Sequence, residues 1–355
     1  MRTVRRHRWW LGGTVPLLVA AALALGEPSV ADPPGPGTGP TTTALLTPPP
    51  TPTPSDPARM ILTGPDAPDP FILVAPGGYY LYASEGNSPL NIPLYTGTTI
   101  GNWGPVTDAL PTLPAWALRG FTWAPDVRQV TGGWALFFTG VLKGVDPTME
   151  CIGAAYGTDR GGPFVADPKP FVCQRDHRGS IDPRTFQDEG GRVWLDWKSD
   201  DNADPNTPGP DQNGMTGIWA QQLSPDGRSL LGTPTRIFQP DQPWEGTIVE
   251  SPDMVDVAGI YWLFFSANWF NQPDYAIGVA RCAGPTGPCA DGPDPLLTSN
   301  DQGQGPGEPA VFSDGQGIWL LYNPWKSNVP HATPPRPVAM VRLGFSPAGP
   351  YLAAP

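Results

Sequence analysis

Four acidic residues each stand one or two positions ahead of a proline at the head of a strand-like run: Asp69-Pro70, Asp182-Pro183, Glu250-Ser251-Pro252 and Glu308-Pro309. Asp-Pro is ordinary turn chemistry, so any one of them alone carries little weight. Four at matched positions are different. Carboxylates brought to one place repel each other, and some of their pKa values rise. One group can then hold a proton to donate while another stays ionised and accepts one. Competing chemistries lack residues. The chain has three histidines, His7, His177 and His331, and no GxSxG nucleophile turn, Walker loop or dinucleotide fingerprint. A carboxyl acid paired with a carboxylate base is what hydrolysis of a glycosidic bond requires.

The elements that must position these groups form an internal repeat. Its five copies begin at Asp69, Ala124, Asp182, Glu250 and Glu308. Each has a proline near its start, a short apolar run, a glycine-containing turn and a second run opening on an aromatic residue. From proline to aromatic the offset barely changes: Pro70 to Tyr80, Pro125 to Trp134, Pro183 to Trp194, Pro252 to Trp262 and Pro309 to Trp319. Turn residues at a fixed offset between two strand-like runs describe a β-hairpin. A third short strand follows each hairpin. Five such copies predict an all-β, five-bladed β-propeller; a β-sandwich would not reproduce one hairpin five times. The first strand of a blade lines the central channel, so Asp69, Asp182, Glu250 and Glu308 are expected in equivalent places at one mouth. Blade two has Ala124 there, with Asp126 two residues on. Most of the 14 Trp belong to repeated strand positions. Trp123, Trp244 and Trp269 lie beside strand ends instead, and Trp123 and Trp269 are expected to stack on sugar faces.

The rest of the chain is organised around export. Arg2, Arg5, Arg6 and Arg8 precede an apolar run from Trp9 to Leu25, and Ser29-Val30-Ala31 offers small residues for cleavage. Residues 1–31 therefore read as a secretory signal, with an uncleaved anchor as the alternative. Residues 32–57 form a Pro/Thr-rich linker with almost nothing to bury, and 58–355 form the propeller. Four cysteines in an exported chain should pair, and the local pairs Cys151–Cys173 and Cys282–Cys289 each bracket a loop. A net charge of −12 argues against nucleic acid or an anionic membrane as partner. The expected partner is a polysaccharide or oligosaccharide, met outside the cytoplasm by a monomer. An insert between Lys198 and Thr216 is a candidate rim for the pocket.

The segments APDPFILVAPGGYYLYAS, FTWAPDV, SIDPRTFQDEGGRVWLDWKS and VESPDMVDVAGIYWLFFSA resemble glycoside hydrolase family 43, the arabinanase and β-xylosidase family. The resemblance implies an inverting glycosidase in which Asp69 is the general base and Glu250 the general acid. Asp182 would orient that acid and tune its pKa, and its negative charge is expected to hold Glu250 protonated. Inversion needs room for a water, so Asp69 and Glu250 are expected roughly 6.5–9.5 Å apart, with Asp182 nearer to Glu250. Retaining, fructan-active propellers match less well, since this chain reads Pro68-Asp69-Pro70 and Ile181-Asp182-Pro183. Two positions depart from the family pattern. Glu308 stands where a histidine usually helps hold a calcium ion or water cluster in the channel. No cofactor is required by the chemistry, but a structural calcium with Glu308 as direct ligand is an expectation. Arg184 follows the SIDP motif where relatives carry a small residue, and is a candidate to bind substrate or pair with a pocket carboxylate. A propeller that binds sugar without cleaving it is the alternative function.

Overall fold

The computed structural model describes residues 58–145, 149–202, 214–326 and 333–353. The signal and linker segments lie outside these residues, as does most of the insert between Lys198 and Thr216. Strand β1 (Arg59–Leu62) comes first. Blade one follows as β2 (Phe71–Ala75), β3 (Gly78–Tyr82), β4 (Pro93–Gly97) and β5 (Thr107–Asp108). Blade two is β6 (Ala117–Val130), β7 (Gly133–Leu142), β8 (Glu150–Gly157) and β9 (Val165–Ala166). Blade three is β10 (Ser180–Gln187), β11 (Val193–Ser199), β12 (Ile218–Leu223) and β13 (Leu230–Phe238). Blade four is β14 (Val249–Val257), β15 (Ile260–Ala267), β16 (Ala276–Cys282) and β17 (Cys289–Asp291). Blade five is β18 (Gln304–Ser313), β19 (Ile318–Trp325), β20 (Val338–Ser346) and β21 (Gly349–Leu352).

Each blade is an antiparallel sheet in chain order, and the first strands β2, β6, β10, β14 and β18 neighbour one another in a closed circle. The ring is closed by β1, which pairs with β20 through Arg59 opposite Met340 and Leu62 opposite Val338. The first described strand thus completes the last blade, so the two ends of the ring hold each other. Cys151–Cys173 in blade two and Cys282–Cys289 across β16 and β17 are the two disulfides, the local pairs expected.

The core is five separate clusters, one between each pair of neighbouring blades. Phe138 and Leu136 of blade two pack with Tyr82 and Leu94 of blade one, whereas Phe137 and Ala135 face Leu195 and Trp197 of blade three. Phe264 likewise packs with Leu320 and Tyr322 of blade five, and Phe265 with Phe238 and Ile237 of blade three. Leu321 and Val338 of blade five meet Leu81 and Ile72 of blade one. Successive strand side chains point to opposite faces, and in a ring both faces of a blade meet another blade. That is why the second strands of blades two, four and five read Leu-Phe-Phe or Leu-Leu at their centres without a polar alternate, whereas blade three carries the buried Asp196 there. The Gly77-Gly78 and Gly132-Gly133 turns are required by close approach. Gly78 and Gly133 carry φ of +154°, and a Cβ on either would run into a carbonyl of the third strand.

Candidate active site

The site rests on one backbone device used five times. In blades two to five the first strand carries one extra residue relative to the second: Trp123 faces Thr139 but Asp126 faces Phe137, and Ile181 faces Lys198 but Arg184 faces Asp196. The same slip separates Glu250/Ser266 from Asp253/Phe264, and Gly307/Asn323 from Ala310/Leu321. At each bulge the residue before the proline is left-handed, with φ of 50° at Ala124, 56° at Asp182, 52° at Ser251 and 58° at Glu308; Asp69, just ahead of β2, has 50°. That conformation costs an L-residue roughly 1–2 kcal/mol, and a following proline adds to the crowding. It is held by bonds to the backbone N–H. Asp69 donates to Asn323 Oδ1 (2.8 Å), Ala124 to Ser84 Oγ (2.8 Å), Asp182 to Thr139 Oγ1 (3.0 Å) and Glu308 to Ser266 Oγ (2.9 Å). Each acceptor belongs to the preceding blade. A bulge re-aims a side chain, and here it brings Asp182 and Glu308 to one cavity with Asp69.

This register corrects the expected equivalence of the four acids. Asp69, Asp182 and Glu308 do occupy the bulge position, but in blade four Ser251 occupies it, and Glu250 precedes it in the place of Trp123, Ile181 and Gly307. The sign was in the sequence: Glu250 lies two residues before its proline and the others one. Even so, Asp69, Asp182, Glu250 and Glu308 all line one cavity of about 480 Å³. Trp123, half-buried, and Trp269, 44% exposed, line it too, with Phe121 and Phe270 as further exposed aromatics.

The carboxylates have distinct surroundings. Burial pushes the Asp69 pKa up, and Arg336, with Nη1 3.9 Å from Oδ1, and the Ser84 hydroxyl oppose that rise. Asp182 accepts the Ser251 N–H (3.1 Å) and hydroxyl (3.4 Å), yet burial and then the charge of Glu250 push its pKa up to about 7, against the pull of Lys198. Glu250 Oε2 accepts from Lys198 Nζ at 2.9 Å, and Oε1 lies 2.7 Å from the Tyr275 hydroxyl. That hydroxyl also lies 2.8 Å from Glu308 Oε1. A phenol has one proton, so when both contacts are hydrogen bonds one of the two carboxyl groups is itself protonated. Burial disfavours the charge on Lys198, but Glu250, Asp200 and Asp182 outweigh it and its pKa stands above the usual value. Burial and then Asp200 push Glu150, also in the cavity wall, up to about 8. The expectation of a Glu250 controlled by Asp182 alone therefore lacked a group: the Lys198 ammonium bonds Glu250, and its charge acts on Asp182 as well.

Lys198, Tyr275, Glu150, Asp200, Ser84, Ser251 and Arg336 escaped the sequence reading. For Lys198 a signal existed. In the other blades the second-strand residue opposite the pre-bulge position is Thr139, Ser266 or Asn323, each holding the next blade's bulge N–H. Blade three puts a lysine there, its ammonium reaches Glu250, and Ser251 bonds Asp182 instead. Tyr275 comes from the loop before β16 and reaches the acids only because Gly307 has no side chain; a Cβ there would lie inside the tyrosine ring.

Two expected site residues are placed differently. Arg184 is not in this cavity. It is buried in the channel between Asp126 (3.9 Å) and Asp253 (3.8 Å), over the Phe71 ring at 5.1 Å, where the bulge has turned it away from the mouth. It lines a second cavity of about 280 Å³ with Arg128 and Asp253. Glu308 faces the same cavity, but its oxygens lie against the Tyr275 and Ser251 hydroxyls, which also contact Glu250 and Asp182. Among the described residues no group of three carboxylates or histidines close enough to share an ion includes it. The residues around Glu308 do not make a calcium ligand set, and no step is routed through such an ion. Trp244 stacks on Phe265 at 5.9 Å as part of the wall between blades three and four.

Comparison with known proteins agrees with this architecture. The family model for glycosyl hydrolases family 43 matches residues 60–349. The chain is 28% identical over 146 residues to beta-D-galactofuranosidase xynD of Aspergillus niger, a match covering 41% of this chain and 37% of that protein. It is 24% identical over 286 residues to extracellular exo-alpha-(1->5)-L-arabinofuranosidase ArbA of Cellvibrio japonicus, over 73% of this chain and 74% of that one. The solved structure of a thermostable family-43 glycoside hydrolase has the same fold, with a TM-score of 0.70 at 24% identity over 85% of this chain and 96% of the other.

Proposed function

The chain belongs to glycosyl hydrolases family 43, and from that premise we propose that it is an exported, inverting glycosidase acting on furanosidic linkages of polysaccharides. The observation that carries this reading is the convergence of Asp69, Asp182 and Glu250 on one cavity with unlike proton environments. Glu250 donates a proton to the leaving oxygen, steered by Lys198 and Tyr275. Asp69, beside Arg336, takes a proton from the water that attacks the opposite face of the sugar. Asp182, whose carboxyl feels the charges of both Glu250 and Asp69, helps to orient the acid. Trp123 and Trp269 offer aromatic faces to the C–H side of the sugar rings. The furanosidic preference is supported by the names of the galactofuranosidase and arabinofuranosidase relatives. Export is supported by the apolar amino-terminal run, the two disulfides and the extracellular character of the second relative.

The experiment is product analysis on arabinans, galactofuranans, xylans and aryl glycosides, with NMR recording the first anomer released. Glu250→Gln is expected to lower turnover of natural glycosides about 10²–10⁴-fold and to hurt far less when the leaving group needs no proton. Asp69→Asn should remove both activities. If both variants turn over a good natural substrate like the parent, Glu250 and Asp69 are not the acid and the base; if the parent binds but cleaves none of these substrates, the cavity only binds sugar. Xylan as the preferred substrate, or retention of configuration, would overturn the finer assignment and leave the family intact.

A further inference from the structure

Away from the channel mouth, three acids meet where blade three hands over to blade four. Asp241 and Glu245 lie in the connector between β13 and β14, and Asp291 lies on β17, the outermost strand of blade four. One carboxylate oxygen from each falls within 4.8 Å of the others. Glu245 is fully buried at 0% exposure. Its Oε2 accepts the N–H groups of Asp241 (2.6 Å) and Gln242 (2.7 Å), which orients the carboxylate. Its Oε1 has no hydrogen-bond partner, and neither buried oxygen of Asp291 has one. A buried carboxylate oxygen without a donor is costly, and here such oxygens of Glu245 and Asp291 lie close together.

We propose that Asp241, Glu245 and Asp291 form a binding site for a divalent cation of the calcium class, which fastens the edge of blade four to the connector leading into the strand of Glu250. The donors are all carboxylate oxygens, with no imidazole or thiolate, so the site suits a hard ion rather than zinc. Calcium accepts six to eight oxygens in irregular geometry. The three carboxylates bring one oxygen each, and the exposed side at Asp241 leaves room for water to supply the rest. The charges close as well, since three anions around a dication leave a net single negative charge in place of three. The partners are held ready. Cys282–Cys289 ties β17 to β16, and Gly287 in the same hairpin lies against Ile237 of β13.

The site has a route to the reaction. Glu245 is five residues ahead of Glu250 in one continuous segment. The carbonyl of Trp244, the residue just before Glu245, accepts from Asn268 Nδ2 at 2.7 Å, and Asn268 directly precedes Trp269 on the cavity rim. Binding is independent of the glycosidase reading, so it is tested by binding.

The full chain, dialysed against chelator, is titrated with calcium chloride by calorimetry and melted with and without the ion. The parent is expected to bind with a dissociation constant on the order of 10⁻⁴–10⁻³ M and to melt higher with calcium. Asp241→Asn, which alters an exposed group and leaves the packing alone, should weaken binding at least about tenfold, the effect of one lost ligand charge worth ~1.4 kcal/mol. Asp291→Asn should abolish both signals. Glu308→Gln, in the channel, should leave both unchanged. A parent that shows neither heat nor thermal shift well above that range would overturn the proposal. So would an Asp241→Asn/Asp291→Asn double variant that binds calcium like the parent.

Discussion

Lys198 is the residue on which the proton inventory of the site turns. It is buried and within 2.9 Å of Glu250 and 3.6 Å of Asp200, and its charge lowers the pKa values of both Asp182 and Glu150. Replacing it with methionine, which keeps the length and removes the charge, should let the neighbouring carboxyl groups hold their protons to higher pH. The alkaline limb of kcat/KM should therefore move up, by about one pH unit for each ~1.4 kcal/mol of lost attraction. A purely structural lysine would lower activity without moving that limb. The acid limb belongs to Asp69, whose carboxyl sits above the usual range because of burial. Activity should thus fade as pH drops through a value higher than that of an ordinary aspartate. Arg336→Met should shift that limb higher still.

At the scale of the element, the bulge before each proline converts a repeated strand into five differently equipped positions. Blade two spends its bulge on Ala124 and blade four on Ser251, whereas blades one, three and five aim carboxylates. Tyr275 joins the group because β18 is thin at Gly307. Gly307→Ala should drive the ring out of place and cost about 1–3 kcal/mol by overpacking, with loss of activity. Tyr275→Phe separates the two effects, since it deletes the hydroxyl that contacts Glu250 and Glu308 while leaving the ring. Activity is expected to fall in both variants and the unfolding temperature mainly in the glycine variant. Equal loss of stability in both would mean that the hydroxyl serves packing of the blade rather than the acid.

For the whole molecule, gathering acids around one axis ties stability to pH. Burial raises Glu150 to about 8, Asp182 to about 7 and Asp253 to about 6. In each case the folded state binds a proton more tightly than the unfolded chain. Their contribution to stability is then complete below the ordinary carboxylate pKa and is lost as pH rises through about 6 to 8. Thermal unfolding followed from pH 5 to pH 8.5 should show a falling midpoint. The triple variant carrying Gln at 150 and Asn at 182 and 253 should flatten the curve. A midpoint that rises over that interval would contradict the assignment of these raised values.

The repeat, its hairpins, the five blades and the local cysteine pairs were all legible in the chain, because turn residues and strand alternation are local and recur at a fixed offset. So were Asp69, Asp182, Glu250 and Glu308, since each stands one or two residues ahead of a proline near the head of its strand, a mark that Glu150 and Asp200 lack. Which position each acid takes was not, because one extra residue in a first strand is invisible without the strand opposite. The channel that turned Arg184 inward to Asp126 and Asp253, and the cavity that admitted Lys198 and Tyr275, exist only once the ring has closed. Proton sharing among those groups depends on distances of a few ångströms between residues from different blades. Sequence order carries no such distances; they are set by the packing of one blade against the next.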